Sequence, residues 1–260
     1  MAGRERNPDG ERNPDGEQRD DGTERHAARP RRRPDPDWVW PLSSLLGGLA
    51  PADRERMLTL GTAVRYPAER VLIREADTTD FLLILLGGVV KVTGRTPDDR
   101  DALLAVRMNG DLVGEFAAVD GRPRSATVTT CGPVTARTVT RAQFLDFTRR
   151  EPRIAQAVNE SVVTKLRAAN ARRIEFTGCD VATRLARVIH QIAVTYGEPA
   201  GAGAVIHWPI TQPELATLSG AAEPTVHKAL RRLRDSGAVS TGYRTLKVED
   251  LALLGSIAFS

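Results

Sequence analysis

The chain has 260 residues, 41% of them hydrophobic, and a formal net charge of +4, a length that suits one large domain or two ordinary ones. No apolar run approaches the roughly 18–20 residues of a membrane-spanning helix, and the polar start MAGRERNPDG lacks the apolar stretch of a secretory signal, so a cytoplasmic protein with no membrane partner is expected. The two cysteines, Cys131 and Cys179, form no CxxC pair; this argues against a disulfide framework, an iron–sulfur cluster or a zinc ribbon, and both read as small buried hydrophobes.

The first 37 residues repeat the hexamer ERNPDG and continue into RPRRRPDPD. With almost no apolar side chains this segment cannot offset its ordering entropy, and it reads as a disordered, solvated tail. From Trp38 the composition becomes that of a folded domain. A short helix is expected in PADRERMLTL, followed by β-branched runs at Val71–Ile73, Phe81–Leu86, Val89–Thr93, Leu103–Arg107, Ala126–Thr130 and Ala136–Thr140. Turn residues such as Gly87-Gly88 and Asn109-Gly110 separate them, which predicts an antiparallel sandwich or barrel rather than a doubly wound nucleotide fold.

Near Thr140 the period changes. A long helix is predicted from about Arg153 to Phe176, with Val158, Val162, Leu166, Ala169 and Arg173 on one narrow stripe, the pattern of a helix that pairs along a seam. The excess charge sits here: residues 149–188 hold nine Lys and Arg against four acids. A second helix follows Asp180 and is expected to end at Gly197 as its C-cap. A strand over Ala204–Trp208 leads to Thr211, whose spacing to Glu214 makes a capping box, with Pro213 in the first turn. That helix ends near Gly220. Residues 221–223 read as a tight turn and Pro224 to about Ser236 as a second helix, so the pair is a helix-turn-helix. AVSTGYRTLKV then reads as two strands about a Thr241-Gly242 turn, a wing.

Two constellations carry chemistry. In the first, Gly114-Glu115 and Arg124 bracket a small-residue segment. An arginine with free backbone N–H groups takes a phosphate charge, and a carboxylate accepts from a sugar hydroxyl, as a cyclic phosphodiester requires. In the second, Thr225, Lys228, Arg231, Arg232 and Arg234 put one hydroxyl and four cations on the second helix of the helix-turn-helix, where groove edges and phosphates would be met. No HExxH, GxSxG or Walker loop is present, so an enzyme is not expected.

At Gly114–Val128 the sequence resembles the cyclic-nucleotide-binding domain family, whose phosphate cassette reads G-E-x-A…P-R-S/A-A. That resemblance implies ribose contacts at Gly114 and Glu115, phosphate contacts at Arg124, Ser125 and Ala126, and a purine contact at Asn170, where Ala169-Asn170 replaces the usual Thr-Ser. It also marks one departure, Ala76 where the family usually carries Gly before Asp77. Over residues 42–250 the two constellations together resemble the Crp/Fnr family of bacterial transcription regulators.

The implied fold is α+β: an antiparallel, jelly-roll-like β-roll, a long dimerisation helix and a C-terminal winged helix-turn-helix. The implied divisions are a tail over 1–37, the roll over 38–148, the long helix over 149–178 and the DNA-binding unit over 179–260. The implied DNA-contacting residues are Thr211, Gln212, Glu223, Thr225, His227, Lys228, Arg231 and Arg232, with Glu223-Pro224 in place of the Arg-Glu of the cyclic AMP receptor type. No resident cofactor is expected. The expected partners are a small anionic effector such as cyclic AMP or cyclic GMP, double-stranded DNA, a second copy of the chain and RNA polymerase. Two alternatives stay open: a constitutive or other-ligand regulator, and a nucleotide-binding adaptor that does not bind DNA.

Overall fold

The computed structural model describes residues 40–242 and 245–260; the repeated tail expected over 1–37 lies outside them. Two short helices come first, α1 (Leu45–Gly48) and α2 (Pro51–Met57). Eight strands follow: β1 (Thr62–Tyr66), β2 (Val71–Ile73), β3 (Leu82–Gly87), β4 (Val89–Arg95), β5 (Asp101–Met108), β6 (Leu112–Val113), β7 (Thr127–Thr130) and β8 (Val134–Val139). Helix α3 (Glu115–Asp120) sits between β6 and β7. The strands form two antiparallel four-stranded sheets, ordered β1-β8-β3-β6 and β2-β7-β4-β5.

The unbroken run Leu82–Leu86 is explained by its two covers. All five residues are at most 3% exposed. Alternation sends Leu83 and Leu85 between the sheets, against Val90, Val113, Val128 and Ala136. It sends Leu82, Ile84 and Leu86 to the other face, against Leu46, Met57, Phe144 and Ile154 of the helices.

Four elements of this half escaped the sequence reading, the first of them the four-residue helix α1. β1 is an edge strand with four exposed residues and so carries no alternating apolar signal. β6 is two residues long. Helix α4 (Arg141–Arg150) opens on a Thr140–Gln143 capping box and stops before Pro152, which lacks an N–H to continue it but serves as the first residue of α5 (Pro152–Gly178).

The remainder consists of α6 (Val181–Tyr196), β9 (Glu198–Ala200), β10 (Gly203–Ile206), α7 (Gln212–Ser219), α8 (Glu223–Asp235), β11 (Val239–Gly242), β12 (Thr245–Val248) and α9 (Leu251–Ala258). Its sheet runs β11-β12-β10-β9. Leu185, Ile189, Leu215, Val226, Leu230, Leu233 and Leu246 form the core beneath it.

Several local expectations are corrected. Gly197 is the C-cap of α6 as expected, donating its N–H to the Ala193 carbonyl, but at φ −83° rather than in the left-handed conformation, so the chain passes directly into β9. Thr241 and Gly242 are strand residues, paired with Leu246 and Thr245, and residues 243–244 lie outside the described residues. Glu223 is the first residue of α8 rather than part of the turn. β9 and the apolar α9 were not anticipated. Both cysteines are half-buried rather than core residues, and burial pushes the Cys131 thiol up to about 12.

Candidate functional site

Gly114 has φ +83° and turns the chain from β6 into α3. A side chain there would meet Arg124, since a Cβ would lie 2.8 Å from its Nη1. Arg124 itself is 3% exposed. Its Nε donates to Thr79 Oγ1 at 3.2 Å, Nη1 to the Gly114 carbonyl at 2.9 Å and Nη2 to the Phe81 carbonyl at 2.5 Å, with the Phe81 ring 4.8 Å away. A guanidinium has five N–H donors, so this cradle uses three and leaves one on each terminal nitrogen. Burial pulls the Arg124 pKa below its ordinary value, and Asp80, Asp77 and Glu115 oppose that shift.

The backbone fixes Arg124 as firmly as the side chain does. Ala76 N donates to the Arg124 carbonyl at 2.9 Å and Arg124 N donates to the Asp77 carbonyl at 2.8 Å. Ala76 holds this turn at φ +67°, a conformation natural to glycine and strained for alanine. The departure seen in the sequence is thus a backbone matter beside the site.

Glu115 is buried, at 5% exposure, but does not pair with Arg124. Its Oε1 receives Lys165 Nζ of α5 at 2.7 Å, and the same ammonium donates to the Leu112 carbonyl at 2.8 Å. Oε2 carries no partner among the described residues. Lys165 was not among the residues the sequence pointed to. Its only signal was a cation at the edge of the apolar stripe, which reads equally well as solvated charge. Ser125 is exposed and Ala126 half-buried beside Arg124, while Asn170 is exposed, one turn beyond Lys165 on α5.

The stripe divides. Val158 is buried in the chain's own core at 3% exposure, whereas Leu166 is 59% exposed and Ala169 and Arg173 are exposed; off the stripe, Ile174 is 71% exposed. Val163 and Phe176 are also exposed, so the distal half of α5 presents apolar side chains to solvent.

On α8 the buried positions Val226, Ala229, Leu230 and Leu233 face the core. Glu223, Thr225, His227, Lys228, Arg231 and Arg232 face solvent together. His227 Nδ1 lies 3.2 Å from Gln212 Oε1, which ties α8 to the start of α7, and Arg231 Nε is 3.9 Å from Asp235. Arg234 turns instead to the wing, donating to Thr241 Oγ1 at 3.1 Å. Thr211 and Glu214 cap α7 reciprocally, as the spacing required. Glu214 also receives Lys91 Nζ of β4 at 2.6 Å, and Thr217 Oγ1 accepts from Leu103 N of β5 at 2.9 Å, so α7 rests against the roll. Among the described residues no cluster of three His, Cys, Asp or Glu side chains is placed to hold a metal, and no helix is long and apolar enough to cross a membrane.

Comparison with known proteins agrees with this arrangement. Residues 63–151 match the cyclic nucleotide-binding domain family and residues 183–257 the Crp-like helix-turn-helix domain family. A Mycobacterium tuberculosis protein named CRP-like cAMP-activated global transcriptional regulator is 28% identical over 187 residues, 72% of this chain and 84% of its own. The Thermus thermophilus cyclic AMP receptor protein is 27% identical over 221 residues, covering 84% of this chain and 97% of its own. Among solved structures, the Xanthomonas campestris regulator CLP, described as c-di-GMP responsive, superposes with a TM-score of 0.64 at 20% identity, over 75% of this chain and 96% of that one.

Proposed function

The chain belongs to the Crp/Fnr family of transcription regulators, with a cyclic nucleotide-binding domain and a Crp-like helix-turn-helix domain, and on that premise we propose that it is a homodimeric, cytoplasmic regulator that binds cyclic AMP in the roll and palindromic DNA through α8. The observation that carries this reading is the burial of both Arg124 and Glu115 at the Gly114 turn, each with unused hydrogen-bonding capacity, with a cation of the long helix on Glu115. Cyclic GMP offers the same phosphate and ribose groups and is the second effector to test.

In this reading the two remaining Arg124 N–H groups and the Ser125 hydroxyl receive the cyclic phosphate, with the backbone of Gly114 and Ala126 alongside. Glu115 Oε2 accepts the ribose hydroxyl. Asn170 donates to or accepts from the purine edge. Because Glu115 also holds Lys165, a ligand that takes part of this carboxylate alters the grip of the roll on α5. The exposed seam of Leu166, Ala169 and Arg173 meets its counterpart in the second copy, so a change at Lys165 reaches both protomers and both DNA-binding halves beyond Gly178. Moving the active fraction from 1% to 99% requires a preference of about 5.5 kcal/mol for the active state.

On DNA, Thr225 and Lys228 address base edges and phosphates, and Arg231, Arg232, Thr211, Gln212 and His227 flank them. Glu223 cannot donate to guanine as an arginine does; it accepts from the cytosine amino group, which shifts the preferred operator. RNA polymerase is the expected protein partner at a promoter.

The deciding experiment is capture of genomic fragments by the dimer with and without cyclic AMP, combined with calorimetry of cyclic AMP and cyclic GMP. Nucleotide-dependent enrichment of one palindrome supports the proposal. Equal enrichment with no heat of binding indicates constitutive DNA binding, and no retained fragment at low salt indicates an adaptor.

A further inference from the structure

A cavity of about 510 Å3 lies outside the roll, between edge strand β5, one face of α5 and helix α6. None of Gly114, Glu115, Arg124, Ser125 or Asn170 lines it. On α5 it is lined by Ala157, Ser161, Thr164, Ala168, Ala171 and Glu175, which recur every three to four residues on the side opposite Leu166 and Arg173. A dimer formed along the exposed seam therefore leaves this cavity inside each protomer. Its volume falls in the range of about 300–1,000 Å3 common to small-molecule sites.

Most charged groups that line it have a hydrogen-bond or ion-pair partner elsewhere in the chain. Lys165 is held by Glu115 and the Leu112 carbonyl. Arg187 donates to the Ala258 carbonyl at 2.6 Å and to Glu175 Oε1 at 3.4 Å. Asp111 accepts from Met108 N at 3.1 Å, and its burial raises its pKa, which disfavours its charge. Glu160 accepts from Gln156 Nε2 at 2.9 Å.

Two guanidiniums are left. Arg107 donates Nη1 to its neighbouring Val106 carbonyl at 2.8 Å, and Arg172 has no hydrogen-bond or ion-pair partner among the described residues. Burial, and then the Arg107 charge, pull the Arg172 pKa down while Tyr196 and Glu175 oppose that shift, so the two cations that line the cavity are near enough to repel. Two like charges facing one cavity are unfavourable unless an anion comes between them. The Tyr196 hydroxyl donates to the Val106 carbonyl at 2.8 Å beside them. Leu45, Val106, Met108, Ile192, Leu218 and Phe259 supply the apolar wall.

We propose that this cavity is a second ligand site, for an amphipathic organic anion whose carboxylate or phosphate bridges Arg107 and Arg172 while its apolar body lies along β5 and α6. Since β5 belongs to the roll and α6 to the DNA-binding half, occupancy ties the two together. The site is independent of the cyclic nucleotide reading and stands or falls separately.

The test is titration of the full-length protein with decanoate and decyl phosphate below their micelle-forming concentrations, with decanol as the uncharged control. At least one anion is expected to bind no less than tenfold more tightly than decanol, and Arg172→Gln and Arg107→Gln are each expected to weaken it tenfold or more. Arg172→Gln removes no hydrogen bond within the chain and relieves a repulsion, so its melting temperature should be no lower than that of the wild type, which excludes misfolding as the cause. Comparing the two anions tells carboxylate from phosphate. Equal binding of decanol, no binding of either anion, undiminished binding in both variants, or complete competitive displacement by cyclic AMP would each overturn the proposal.

Discussion

The roll and the recognition helix treat charge in opposite ways. Around the cassette, Arg124 and Glu115 are nearly inaccessible, and each is partly consumed by the fold, Arg124 by two carbonyls and a hydroxyl and Glu115 by Lys165. On α8, Lys228, Arg231 and Arg232 stand in solvent, with one loose contact to Asp235 among them. A buried charge is costly to strand and acts through fixed geometry, whereas an exposed one is cheap to alter and acts through long-range attraction to phosphates. Mutations in the first region should therefore couple stability to ligand affinity, and mutations in the second should change DNA affinity alone.

The largest expected effect is at Arg124. Arg124→Ala removes the charge and leaves the Phe81 and Gly114 carbonyls without their donor, at about 1.5–3 kcal/mol for each bond to a charged group. Cyclic AMP affinity measured by calorimetry should fall at least 100-fold. Arg124→Lys should not restore it, because one ammonium cannot meet three acceptors in a planar fork. Next is Lys165→Met, which strands the Glu115 carboxylate, a change that costs roughly 3–5 kcal/mol when a buried pair loses one member. Adding Glu115→Gln should recover most of the loss in urea unfolding. If the single and double variants were equally unstable, the pair would not be the cause.

A third prediction tests the exposed side of the contrast. Lys228→Ala combined with Arg231→Ala should leave stability within about 0.5 kcal/mol, as for ordinary surface sites. The log–log salt slope of DNA binding should flatten by about 0.9 for each phosphate that is no longer neutralised. A large drop in melting temperature would show that these side chains serve the fold. Ala76→Gly should relieve a left-handed alanine and stabilise the protein by roughly 1–2 kcal/mol in urea unfolding.

The smallest expected effect is at Asp111. Burial raises its folded-state pKa above the unfolded value, so the folded state binds more proton between the two and stability falls as pH rises through that window. Asp111→Asn should therefore raise the melting temperature at pH 7, with the gain vanishing at acid pH, where the carboxyl is protonated in both states. A gain independent of pH would assign the effect to packing.

Much of this contrast was legible in the sequence because it rests on local rules. The capping box at Thr211 and Glu214, the β-branched run at Val89–Thr93 and the cassette spacing from Gly114 to Arg124 each lie within a short span of chain, where local propensity and hydrogen-bond geometry fix the outcome. Other features lay outside local pattern. The edge strand at Thr62–Tyr66 has too little buried surface to mark it, and α9 follows the wing as an apolar run without a clear period.

The net charge of +4 pointed to no particular partner, since the excess lies at residues 149–188 rather than on α8. The sequence by itself determined the order of elements and the chemical types at the cassette and the recognition helix, because these follow from neighbours a few residues apart. Only the tertiary structure decided which charges meet. Lys165 reaches Glu115 across 50 positions, Lys91 reaches Glu214 across a still longer span, and Arg172 is left facing Arg107 with no ion-pair partner among the described residues. Such pairings depend on which helix face the packed core turns inward, and that choice is made by the whole chain at once.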